Sequence, residues 1–212
     1  MLKSIALLAV FLLLGSSIFA NEGDYNYPYK NADVATLTTA IMKSRHQETF
    51  KSIKFMDVGV VPGREKTFLF EKRSELKFGF YAQKQAAPLV FLIADIANTH
   101  VTGYMLYMAD LLQEQGYNVV TLSSQLSWNF VISSSQTGIP GVTSEDATDM
   151  YKALQIVLNK VKKNHSKPIT KTAVIGFGFG GLLAAHISSL DEQQKALNID
   201  RYVLVNPVVN VV

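Results

Sequence analysis

The segment Ala173-Val-Ile-Gly-Phe-Gly-Phe-Gly-Gly-Leu-Leu-Ala-Ala185 limits this chain more than any other. A short apolar run enters four glycines within six residues, and a helix-forming stretch follows at once. Neither a helix nor a strand continues through that glycine density, so the segment reads as strand, tight turn, helix.

The segments around it repeat the pattern. Pro88 to Ala94 is a continuous apolar run ending in Asp95, as expected of a strand buried on both faces of a parallel sheet. A helix follows with Tyr104, Leu106, Tyr107, Met108, Leu111 and Leu112, ended by Gly116, and Asn118–Leu122 is the next strand. A serine-rich loop covers Ser123 to Gly141. Thr143 with Asp146 suggests a capping box for a helix reaching Asn164, with Met150, Leu154, Val157, Leu158 and Val161 on one face. Thr172–Phe177, a helix over Leu182–Leu190 and a strand over Arg201–Asn206 complete the series. Upstream, Lys66–Phe70 and Leu76–Tyr81 read as an antiparallel hairpin, with Leu76, Phe78 and Phe80 alternating against Lys77, Gly79 and Tyr81. Strand–helix alternation with these spacings means α/β: a mostly parallel sheet with flanking helices, led by an N-terminal antiparallel hairpin.

Two chemistries use a glycine turn between a strand and a helix. Gly176, Gly178 and Gly181 match G-x-G-x-x-G, which resembles the turn of flavin and nicotinamide Rossmann proteins. That resemblance implies a dinucleotide (FAD or NAD) at the helix N-terminus. Its context is wrong, because three strands precede the turn and the next strand ends in Asn206-Pro207 rather than in an acid. Gly176-Phe177-Gly178-Phe179-Gly180 also has the spacing of the G-x-S-x-G nucleophile elbow, with Gly181 following. From residue 66 onward the chain resembles the α/β-hydrolase superfamily. It is similar to bacterial envelope hydrolase-like proteins in which a segment such as Gln115–Ser124 precedes a loop like Trp128-Asn-Phe. The resemblance implies ester or acyl hydrolysis as the ancestral chemistry and no cofactor.

The departures from that family carry as much weight. Gly178 stands where the family has its serine, and a glycine cannot attack a carbonyl. Of His46, His100, His165 and His186, only His186 follows the elbow, too close to it to be the family's distant base. Asp191 and Asp200 follow it too, neither at the family's acid position. The resemblance still implies an oxyanion hole made by the N–H of Phe179 and one from the Ile96–Ala97 loop. Secondary candidates are Ser123 and Ser124, at the carboxyl end of a parallel strand, with Ser127 beyond them. His100, in the loop bordering the same edge, is another. Trp128 and Phe130 are candidates to line an acyl pocket. No histidine spacing suits a metal.

The N-terminus carries Lys3, an unbroken apolar run from Ile5 to Leu14, the break Gly15-Ser-Ser17 and a small residue at Ala20. This is the layout of a cleavable signal peptide over 1–20. Ten apolar residues make a helix of about 15 Å against roughly 30 Å of hydrocarbon, so a retained membrane span is not expected. With no cysteine in the chain, a lipoprotein anchor, disulfides and thiolate metal sites are excluded. The net charge of +3 is scattered. Only Lys160, Lys162 and Lys163 cluster, at a helix end where they suit the helix dipole, so nucleic acid is not an expected partner.

The expected organisation is a signal peptide (1–20), an arm with a short helix (21–65) and a C-terminally incomplete α/β-hydrolase-like domain (66–212). The expected function is that of an exported, periplasmic or secreted, pseudoenzyme that binds a lipid or acyl-ester ligand or an envelope protein. An esterase using a recruited serine or a missing C-terminal part is the alternative. A sheet ending at Tyr202–Val205 is expected to leave an apolar edge that associates.

Overall fold

The computed structural model describes residues 29–41, 53–64 and 74–209. The proposed signal peptide, most of the aromatic arm, His46 and Lys66–Phe70 lie outside them. The chain forms two compact units, residues 1–47 and 48–212. In the first, helix α1 (Ala32–Ile41) is the described element. Asn31 caps it, its Oδ1 accepting from the Val34 N–H at 3.0 Å.

In the second unit the elements run β1 (Ile53–Val58), β2 (Leu76–Tyr81), β3 (Ala87–Ile93), α2 (Gly103–Glu114), β4 (Asn118–Leu122), α3 (Trp128–Ser133), α4 (Thr143–Asn164), β5 (Ile169–Phe177), α5 (Phe179–Gln194) and β6 (Arg201–Val205). The strands form one sheet in the order β1-β2-β4-β3-β5-β6. β3, β4, β5 and β6 are mutually parallel, while β2 is antiparallel to both β1 and β4.

The continuous apolar run of β3 is explained by its place in the sheet. Leu89, Phe91 and Ile93 point to one face, where they meet Met150, Leu154 and Val157 of α4 and Leu183 and Ile187 of α5. Val90 and Leu92 point to the other, against Met105 and Ala109 of α2. With helices on both sides every strand position must be apolar. Each such side chain contributes roughly 1.5–3 kcal/mol by leaving water.

Three details depart from the sequence reading. The antiparallel neighbour of β2 on its outer side is β1, with Asp57 opposite Lys77 and Phe55 opposite Gly79. β4 takes the other side; Lys66–Phe70, the expected hairpin partner, lies outside the described residues. The serine-rich loop contains helix α3, capped by Ser127, whose Oγ accepts from the Phe130 N–H at 3.3 Å. The capping box at α4 does not form. Val142 is its N-cap, which puts Asp146 a position too deep, and the carboxylate accepts instead from the Gly141 N–H at 2.9 Å.

Candidate active site

The carboxyl ends of β3, β4 and β5 lie along one edge of the sheet, the edge where open α/β sheets present functional loops. The loops Asp95–His100, Ser123–Ser127 and the glycine turn all leave from it.

Gly178 sits at φ 51°, ψ −115° between β5 and α5, a conformation that L side chains rarely adopt. Its N–H donates to the Val205 carbonyl of β6 at 2.9 Å, and its carbonyl accepts the first helical N–H groups, from Gly181 and Leu182. The turn is therefore tied to the neighbouring strand and to the helix it starts. Its flanking glycines are required by close packing. A Cβ on Gly176 would overlap the Gly180 carbonyl, and one on Gly180 would stand 2.5 Å from the Ile93 carbonyl oxygen. The helix thus crosses both β5 and β3 at backbone contact.

What occupies the front of this turn is Asp95. Its Oδ1 accepts from the Phe179 N–H at 2.9 Å and from the Ile96 N–H at 2.7 Å. Its carboxyl group also fills the space into which a Cβ on Gly178 would project. Ala97, next in the loop, is held at φ 57°. The Asp95 N–H donates to the Tyr104 hydroxyl at 2.9 Å, and the Tyr104 ring packs edge-on against Phe177 at 5.4 Å. Burial, with the nearby Asp95 charge, pushes the Tyr104 hydroxyl pKa up despite that hydrogen bond. The loop, the turn and α2 are thereby joined through one aspartate, which sequence reasoning marked only as the end of a strand. The available signal was an acid at that strand end in a chain whose turn lacks a side chain.

The secondary candidates are partly brought together. Ser123 Oγ accepts from the His100 N–H at 3.0 Å and lies 3.1 Å from His100 Nδ1. Ser123 is completely buried, so this serine–histidine contact has no approach for a substrate. Burial, reinforced by the Lys77 charge, pushes the imidazole pKa down to about 4, so the ring is neutral at pH 7. Ser124 is equally buried; its N–H donates to the Asn98 carbonyl at 3.0 Å and its hydroxyl to Gln125 Oε1. Both serines therefore fasten the 98–100 loop to the end of β4.

The remaining residues separate. His186 is exposed on α5. Asp191, at the other end of α5, accepts from the Tyr151 hydroxyl at 2.7 Å and from the N–H groups of Leu197, Asn198 and Ile199. Asp200 accepts from the Thr172 N–H at 2.8 Å. Both carboxylates hold the α5–β6 connection. Phe130 is buried in the core, whereas Trp128 is 70% exposed and lines a cavity at the functional edge. Among the described residues no cluster of three His, Asp or Glu side chains is placed to hold a metal ion.

Neither a family model nor a curated protein sequence matches this chain. Solved structures do. EstE1, a thermophilic carboxylesterase cloned from a metagenomic library, aligns with a TM-score of 0.55 at 22% identity, over 82% of this chain and 52% of its own. Brefeldin A esterase, a bacterial homologue of human hormone-sensitive lipase, gives 0.52 at 15% identity, over 81% and 45%. The alpha/beta hydrolase GrgF from Penicillium sp. sh18 gives 0.52 at 13% identity, over 74% and 47%. The chain spans about half the length of these structures.

Proposed function

We propose that this chain, whose fold is that of the α/β-hydrolases, is an exported binding or scaffold module descended from an ester hydrolase and no longer catalytic. One observation carries the reading. The Asp95 carboxylate accepts both N–H groups that an oxyanion would need and fills the space in front of the glycine that stands for the nucleophile. A tetrahedral intermediate would bring a second negative charge to donors already holding one. Loss of a single oxyanion donor lowers turnover by about 10²–10³, and loss of the attacking group removes covalent catalysis altogether. Export rests on the layout of residues 1–20, and no helix among the described residues is long and apolar enough to cross a membrane.

The recruited-serine reading draws on the 3.1 Å contact between Ser123 and His100, but the burial of Ser123 counts against it. The dinucleotide reading needs a phosphate at the N-terminus of α5, where the Asp95 carboxylate already accepts the Phe179 N–H.

Hydrolysis of acyl p-nitrophenyl esters tests the proposal on the folded chain. The expected rate equals the background and stays there in Ser123→Ala. Turnover by the unaltered chain would overturn the non-catalytic reading, and its loss in Ser123→Ala would name the nucleophile. Export is tested by the N-terminal residue of the protein recovered from the envelope, which should be Asn21.

A further inference from the structure

We infer that the functional edge carries a second site, separate from the Gly178 turn: a cleft centred on Lys77 that binds an amphipathic carboxylate. Two cavities, of about 410 and 470 Å³, both have Lys77 in their walls. The first is bounded by Phe55, Val101 and His100, the second by Leu126 and Trp128. Phe55, Val101 and Trp128 are among the large apolar side chains the chain leaves exposed, at 58%, 43% and 70%. Apolar surface gathered around one cation is the pattern of a ligand cleft rather than of scattered surface residues.

The polar groups match a carboxylate. Lys77 is exposed, and among the described residues no carboxylate forms an ion pair with it, including Asp57, which stands opposite in register and lines the first cavity. His100 lies in the wall of the first cavity, its ring Nδ1 3.1 Å from Ser123 Oγ and its ring edge-on to Phe55 at 6.1 Å. The neutral ring adds no charge that would alter the preference for a monoanion. The Lys77 ammonium offers a charge-assisted hydrogen bond to a carboxylate, while Trp128 or Phe55 covers its hydrocarbon.

Trp128 is the only tryptophan of the chain and reports occupancy directly. The full chain is titrated with sodium decanoate below its micelle-forming concentration, and with decanol, while Trp128 emission is followed. A saturable blue shift with decanoate is expected, absent with decanol and weakened about tenfold or more in Lys77→Gln. Lys77 is solvent-exposed, so that variant keeps the fold. No response, an equal response to decanol, or unchanged affinity in Lys77→Gln would overturn the proposal. The readout is independent of ester turnover, so its failure and that of the non-catalytic reading are told apart.

Discussion

The carboxyl group of Asp95 and the missing side chain of Gly178 occupy one volume. The same carboxylate accepts the N–H groups of Phe179 and Ile96, so the plug at the turn and the occupant of the two donors are a single group. Gly178→Ser should therefore not restore a hydrolase. The new Cβ meets Asp95 and is forced to a left-handed φ, at a cost of about 2–4 kcal/mol. In Asp95→Ala the clash is gone, and the serine should cost at least ~1 kcal/mol less there than in the unaltered chain. Urea unfolding of the four members of this cycle measures the coupling. Additive costs would show that the two residues do not share the space.

The glycines beside the turn should respond by position. Gly176→Ala and Gly180→Ala place a methyl against backbone of α5 and of β3 respectively, and neither partner can rotate away. Each should destabilise by about 3 kcal/mol or more. Gly103, the first residue of α2, has no heavy atom within 4 Å of its added Cβ. Gly103→Ala should be neutral within roughly 0.5 kcal/mol or slightly stabilising, because alanine favours the helix. Equal losses at all three positions would contradict the packing argument.

The parts of the fold that were legible in the sequence are those whose burial is uniform. The run Leu89–Ile93 could only be a two-faced strand, and the apolar stripe of α4 pointed to its full length. The glycine spacing disclosed the elbow because backbone contact leaves no other residue type at Gly176 and Gly180. β1 was hidden because an edge strand half-covered on its faces carries Lys54 and Asp57 and lacks a clean alternation. α3 was hidden because six residues give fewer than two turns and no periodicity. The role of Asp95 was not legible, since it depends on bringing two loops together that are distant in the chain.

Acid should weaken the fold in two windows. The His100 pKa is depressed to about 4 by burial and by Lys77, so between roughly pH 6.5 and 4 the unfolded chain binds a proton that the folded one does not. Stability therefore falls as pH drops through that range. His165, lowered by burial and by Lys167, acts in the same direction. Burial alone would raise the Asp191 pKa, but hydrogen bonds from Tyr151, Ile199, Leu197 and Asn198 outweigh it and hold the carboxyl below its ordinary value. Its stabilisation is present above the normal carboxylate range and is lost as pH falls further. Asp146, raised by burial, works in the opposite sense. Thermal unfolding across pH 3–7 should show His100→Gln flattening the upper window and leaving the lower one. A slope unchanged between pH 6.5 and 4 would remove His100 from this account.

Asp191 should matter to stability more than its place near the end of α5 suggests. Asp191→Ala leaves three backbone N–H groups and the buried Tyr151 hydroxyl without their acceptor, at an expected cost of about 3 kcal/mol. Hydrogen exchange should quicken at 197–199, where those amides lie, and not at β3. Uniform acceleration across the sheet would show a global effect instead.

β6 is the outermost described strand beside β5, and among the described residues no strand lies against its outer side. Val203 and Leu204 on it are each 40% exposed. An apolar edge strand of this kind is a template for another strand. The chain should therefore self-associate in sedimentation experiments as its concentration rises. Val203→Lys should shift it towards monomer, because a charged side chain on an edge opposes pairing while the inner ladder to β5 is kept. A concentration-independent monomer in the unaltered chain would show that this edge does not recruit a second copy.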